Sequence, residues 1–249
     1  MRRISARSKR LLIAVAAAVL VTAAVFALLG RVFVVRNVAV AGVSDDLRDE
    51  VIRASGLEMG GSIRSVDEDS LRRSLESTGR FALDGVEVRY PNTVTLMVRE
   101  RTRDAMVLSG ARLLVMDADG YVIEAVDTVP EDAGVYITGL EGGAYRIGGR
   151  ISAPEEKLAA MKAVLEAIRS QGASGYVSEL NLSDVFNLTL TTRSGIRVLL
   201  GDANDMEGKI LWMCSAVDDL QSRGQAGGTL DVSSGSKADY RPDEPAAEE

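Results

Sequence analysis

Cys214 is the single cysteine among 249 residues, and histidine is absent. Histidine is the usual general base and the commonest neutral metal ligand. Without it, the Cys214 thiol has no imidazole to activate it, and a Ser–His–acid arrangement cannot be built. One cysteine also excludes an intrachain disulfide and any CxxC or zinc-type cluster. A Ser–Lys dyad remains open by residue type. However, Lys157, Lys162 and Lys209 fall on predicted helices, Lys237 lies near the C-terminus, and Lys9 precedes a long apolar run. No serine motif with a known mechanism accompanies them. Asp117-Ala118-Asp119-Gly120 offers paired carboxylates. A calcium loop needs oxygen ligands at its first, third and fifth positions, glycine at the sixth and glutamate at the twelfth. Here glycine comes too early and Thr128 stands twelfth, so Asp119-Gly120 reads as a turn between strands. No catalytic, metal or cofactor site is expected.

The charges are unevenly placed. The chain holds 29 basic and 36 acidic residues, a net −7. Arg2, Arg3, Arg7, Lys9 and Arg10 crowd the first ten residues, leaving 24 basic against 36 acidic residues, or −12, in the rest. An acidic body with only Trp212 and ten other aromatics argues against nucleic-acid binding. Residues 11–29, LLIAVAAAVLVTAAVFALL, carry no charge. As a helix they span just under ~30 Å, the thickness of a bilayer's hydrocarbon core. A cleaved signal peptide is the alternative, but the run exceeds the usual ~7–15 apolar residues and lacks a clear small-x-small exit. The expected topology is a cytoplasmic basic tail at 1–10, one transmembrane helix at 11–29, and a body outside the cytoplasm.

Two folded modules are expected beyond it. Residues 33–40, FVVRNVAV, have the β-branched composition of a strand. Ser44 caps a helix whose stripe is Leu47, Val51 and Ala54, stopped by Gly56. A glycine-broken loop follows, then a helix capped by Ser65 or Asp67, with Leu71 and Leu75 on one face and Gly79 at its end. Val86, Val88 and Tyr90, then Val94, Leu96 and Val98, alternate on either side of Pro91-Asn92, as in a hairpin. Strand–helix–helix–strand–strand implies a three-stranded sheet with both helices on one face. The hairpin leaves through Arg99-Glu100-Arg101-Thr102-Arg103, expected to be an exposed, charged junction to the second module.

The second module reads as β-rich with two helices. Strands are expected at 104–108, 112–116, 121–123, 135–140, 177–182, 186–191, 196–200 and 229–232. Ser152-Ala153-Pro154-Glu155 has the form of a capping box opening a helix with Leu158, Met161, Leu165 and Ile168 on one face. Residues 206–220 form the other helix, with Ile210, Met213, Cys214 and Val217 facing the core. No clear pattern emerges at 125–155. Residues 233–249, rich in Ser, Gly, Asp, Pro and Glu, read as a disordered acidic tail. Asn181-Leu-Ser and Asn187-Leu-Thr match glycosylation sequons. No second copy of the first module is visible.

A basic tail, one anchor, VRNVAVAGV, GLEMGGSIRSVD, RYPNTVTLMVRER and a terminal LDVS…YRP occur in this order. Together they resemble the FtsQ/DivIB family of bacterial cell-division proteins. The resemblance implies an α+β chain: a transmembrane helix, a POTRA-like βααββ domain at 33–101, and an FtsQ/DivIB-type β-domain at 102–232. It implies a non-enzymatic divisome scaffold at the septum, with no cofactor, that binds FtsL-like and FtsB- or DivIC-like bitopic proteins and helps regulate the septal peptidoglycan synthase. The family's binding edge maps to Thr229, Leu230, Asp231 and Val232, with Tyr240 and Arg241 as side-chain contacts. Leu230 and Val232 could equally be core residues, as alternate positions of any terminal strand are. The rival reading is a POTRA-type interaction module in envelope transport or assembly. Such proteins usually follow POTRA with a barrel or further repeats, and neither is expected here.

Overall fold

The computed structural model describes residues 15–22, 32–130 and 134–243. The basic tail at 1–10 and most of the apolar run at 11–29 lie outside the described residues. Within that run, 15–22 is helical and exposed. Among the described residues, no helix is long and apolar enough to cross a membrane. The chain divides into two compact units, one of residues 1–75 and 81–100, the other of 76–80 and 101–249.

The first unit contains β1 (Asn37–Ala41), α1 (Arg48–Ser55), α2 (Glu68–Glu76), β2 (Phe81–Arg89) and β3 (Thr93–Glu100). Its three-stranded sheet has the order β1-β3-β2, with β1 parallel and β2 antiparallel to β3. Val51, Leu71 and Leu75 from the helices pack with Val40, Phe81, Leu83, Val94, Leu96 and Val98 from the strands. Close approach sets the end of β1. Gly42 has φ 93°, and a Cβ there would lie 2.3 Å from the Val98 carbonyl oxygen, so only glycine fits. Asp67 caps α2, its carboxylate accepting from the Ser70 amide at 3.1 Å and the Ser70 hydroxyl at 2.6 Å.

Two boundaries differ from expectation. The first strand begins at Asn37 rather than Phe33. The preceding residues pair instead with the glycine loop: Val35 N donates to Gly61 O, Gly60 N to Val35 O, and Ile63 N to Phe33 O. Ser44 makes no side-chain cap; a short 3₁₀ turn, Asp45–Leu47, precedes α1.

The second unit is a nine-stranded sheet with two helices. In chain order its elements are β4 (Ala105–Ser109), β5 (Arg112–Met116), β6 (Val122–Val126), β7 (Val135–Thr138), α3 (Glu155–Ser170), β8 (Val177–Asn181), β9 (Leu188–Thr192), β10 (Arg197–Gly201), α4 (Met206–Ser222), β11 (Thr229–Asp231) and β12 (Asp239–Arg241). The sheet order is β12-β11-β10-β9-β8-β7-β4-β5-β6. The expected stripe of α3, Leu158, Met161, Leu165 and Ile168, is fully buried against inward strand residues such as Ile137, Leu180 and Leu190. From α4, Ile210, Met213 and Val217 join the same core.

Here too the local chemistry moved some expectations. Helix α3 starts at Glu155 with Pro154 in the cap position and no side-chain cap, so Ser152 does not complete a capping box. Strand β9 starts at Leu188. Asp184 holds a turn by accepting from the Phe186 amide at 2.9 Å, and this leaves Phe186 75% exposed. The junction is not uniformly exposed. The Arg101 side chain is 1% exposed, paired with the buried Asp117 carboxylate and 4.0 Å from Glu76, with its guanidinium 4.1 Å above the Tyr121 ring. Asp117 also accepts from the amides of Asp119 and Tyr121. The turn carboxylate is thereby committed to protein donors, and among the described residues no acidic cluster could hold a metal.

Candidate partner-binding edge

The free edge at one end of the nine-stranded sheet is β12, not the 229–232 segment. Strand β11 lies inside it, parallel to β10 on one side and antiparallel to β12 on the other. The expected disordered tail is therefore ordered through Asp243, and three of its residues extend the sheet. The turn that brings it back is local: Gly235 has φ 69° and donates to the Val232 carbonyl at 3.0 Å.

The register places Thr229 opposite Arg241, Leu230 opposite Tyr240, and Asp231 opposite Asp239. Leu230 and Val232 are each 0% exposed and belong to the core, so neither is a contact available to a partner. Tyr240 packs partly against that core. Its hydroxyl donates to the Gly227 carbonyl at 3.1 Å, and its ring edge lies 2.8 Å from where a Gly228 Cβ would stand. Thr229 and Asp231 are half-buried, while Arg241 and Asp239 are exposed. The edge therefore presents Arg241 and Asp239 to solvent, with Thr229 and Asp231 behind them.

Two carboxylates opposite each other, Asp231 and Asp239, repel. Cations and hydroxyls around them relieve this. Lys237 Nζ lies 2.6 Å from Asp239, and that hydrogen bond pushes the lysine's pKa up. The Ser233 hydroxyl, donating at 2.7 Å, holds Asp231 below the usual carboxylate range, helped by the Ser233 amide and by the charges of Arg241 and Lys237. Beyond the strand, the Asp243 carboxylate accepts from the Gly228 amide at 2.8 Å and pins the chain after Arg241. As an edge strand, β12 leaves alternate backbone N–H and C=O groups without a sheet partner.

Sequence reasoning named Tyr240 and Arg241 but not Asp239, and it missed the strand that these three residues form. The available signal was slight: Asp-Tyr-Arg alternates polar and aromatic over only three residues, after a Ser/Gly turn. Away from the edge, Cys214 is half-buried against the core rather than fully inside it. Burial, and then the neighbouring Asp218 charge, push its thiol pKa up, the opposite of what a nucleophile needs.

Known proteins locate this architecture. A family model described as a POTRA domain, FtsQ-type, matches residues 33–101. A second, described as cell division protein FtsQ/DivIB, C-terminal, matches residues 105–233, so its match ends before β12. The chain is 29% identical over 196 residues to a cell division protein FtsQ of Myxococcus fulvus, covering 78% of this chain and 67% of that protein. It is 20% identical over 178 residues to a cell division protein DivIB of Clostridium tetani, covering 70% and 67%. A cell division protein FtsQ of Streptomyces bingchenggensis is 29% identical over 131 residues, covering 52% and 49%. The major extracytoplasmic domain of DivIB from Geobacillus stearothermophilus aligns with a TM-score of 0.33 at 14% identity, covering 49% of this chain and 96% of that one. The two matched models define a POTRA-plus-β-domain cell-division protein. The chain belongs to the FtsQ/DivIB family.

Proposed function

We propose that this chain is a non-enzymatic, membrane-anchored scaffold of the bacterial divisome. In this reading residues 1–10 are cytoplasmic and 11–29 span the membrane. The domains at 33–101 and 102–232 stand outside the cytoplasm, at the septum. Its partners are FtsL-like and FtsB- or DivIC-like bitopic proteins, and through them it helps regulate the septal peptidoglycan synthase. The observation that carries the reading is the short outer strand β12, an open sheet edge bearing Arg241 and Asp239 at the end of a large core-backed sheet. A partner segment that adds to it gains main-chain hydrogen bonds, with Arg241 supplying selectivity through charge. Thr229 and Asp231 line the same side, and Tyr240 holds the strand in place.

The test separates edge from core. In dividing cells, an N-terminal fluorescent fusion should gather at the division plane, and depletion should give filaments. Arg241→Glu should leave the folded protein intact, as surface changes alter stability by only ~0.5 kcal/mol, yet weaken capture of the bitopic partners. Leu230→Asp should lose the fold, because it buries an unpaired charge. Even envelope distribution with normal division on depletion would overturn the divisome role. Full partner capture by Arg241→Glu would overturn the assignment of the edge.

A further inference from the structure

Three separate segments of the first unit meet at one end of it, and they carry most of its exposed apolar surface. Residues 32–37 pair with the loop at 58–64 through the Val35–Gly61, Gly60–Val35 and Ile63–Phe33 backbone bonds. The β2–β3 turn joins them: Arg36 N and Asn37 N both donate to the Asn92 carbonyl, at 3.0 and 3.1 Å. Four large apolar side chains of the described part of this unit beyond residue 31 are markedly exposed. Three of them, Val32 (46%), Met59 (59%) and Tyr90 (62%), lie on these three segments. The fourth, Met97, is further along β3. Phe33 packs edge-on to Tyr90 with ring centroids 5.9 Å apart, and the exposed Arg64 lies with its guanidinium 4.9 Å above the Phe33 ring.

We propose that this end of the first unit, Val32–Met59–Tyr90 with Arg64, seats on the lipid surface of the membrane that holds residues 11–29. The inference rests on the membrane-spanning reading of that run, and chain length then fixes the occupant. Val32 follows Leu29 by three residues, so it lies within about 11 Å of the span's end even when the chain is fully extended. The headgroup layer is itself ~5–8 Å deep on each side. An end that close to the bilayer must face headgroups, and its composition suits them. Tyrosine places a ring among the upper acyl carbons with its hydroxyl in water. Met59 and Val32 add apolar contact. Arg64, stacked on Phe33, can turn its donors to a lipid phosphate. Glu58 is exposed on the loop, Arg89 is paired with Glu87, and Arg36 is a second exposed cation on the first segment; Arg64, stacked on Phe33, is the one beside the aromatic pair.

The test uses the full chain in liposomes containing phosphatidylglycerol, with Cys214→Ala as background. A nitroxide is attached in turn at Val19→Cys, Met59→Cys and Met97→Cys. Collision with oxygen, which favours lipid, is compared with collision with a water-soluble nickel chelate. The expected result is strong oxygen preference at position 19, intermediate preference at 59, and nickel preference at 97. Adding Arg64→Glu, or replacing the phosphatidylglycerol with a zwitterionic lipid, should move position 59 toward nickel while leaving position 19 unchanged. Water-like accessibility at 59 with lipid-like accessibility at 19 overturns this inference alone, and low collision with both reagents at 59 also overturns it, by showing that protein rather than lipid covers this end. Water-like accessibility at 19 overturns the membrane-spanning reading itself.

Discussion

Replacing Gly228 with alanine should detach the outer strand and leave the rest of the sheet standing. Gly228 is buried, with φ 88°, a region costly for residues with a side chain. An alanine Cβ there would lie 2.7 Å from the Arg241 carbonyl and 2.8 Å from two atoms of the Tyr240 ring system. The backbone strain alone is about 1–2 kcal/mol. Moving Tyr240 away also loses its hydrogen bond to Gly227, about 1 kcal/mol more. A total near 2–3 kcal/mol should lower the melting temperature by roughly 4–12 °C for a unit of this size. Thermal unfolding measures the total. Amide hydrogen exchange locates it, with fast exchange expected at residues 229–231 and 239–241, and native protection kept in β8 to β10. Unchanged protection in β12 together with an unchanged melt would refute the argument that the glycine is required by the strand above it. Uniform loss of protection across the sheet would refute the argument that β12 is separable from the core.

The other expectations concern burial and charge. Arg101→Ala leaves the Asp117 carboxylate buried without its cation, so unfolding by urea should show a loss of about 3–5 kcal/mol. Arg101→Met with Asp117→Leu should recover a large part of it, and failure to do so would mean that the pair does more than neutralise itself. Asp67, Asp184, Asp202 and Asp231 all have pKa values held low, respectively by the Ser70 hydroxyl, the Asn187 amide, the Lys209 ammonium and the Ser233 hydroxyl. A carboxylate with a depressed folded pKa stabilises above the unfolded value of ~3.9 and loses that contribution as pH falls through the folded one. The melting temperature should therefore hold from neutral pH to about 5 and decline below about 4, less steeply in Asp202→Asn. Cys214, pushed up by burial, should react with a disulfide reagent at pH 8 more slowly than free cysteine does, and should match it once the chain is unfolded.

Where side-chain period and burial coincide, the sequence was legible. The α3 stripe of Leu158, Met161, Leu165 and Ile168, and the alternation of Val94, Leu96 and Val98, show their partners through spacing alone. Long-range choices were not legible. Val35 has the composition of a strand residue, yet its backbone pairs with Gly60 and Gly61, a contact that no local pattern encodes. Arg101 sits in a run of charges that reads as solvated, but the residue that buries it, Asp117, lies sixteen positions on. Next to the edge, Leu230 was left open between core and contact, and only its burial in the folded sheet decides for core. Tyr240 was named, but its strand was lost in a polar, glycine-containing stretch because three residues are too few for a period to show.

The strands β10 and β11 are parallel neighbours, so the chain must cross from one end of the sheet to the other between them, and α4 makes that crossing. Strand β12 rests on β11 alone, and β11 rests on β10 at the far end of the crossing that α4 makes. The outer edge thus exists only where the crossing and the strand beneath it are both in place. In the proposed role, a partner segment that adds to β12 would therefore find its edge only on a chain whose sheet is complete.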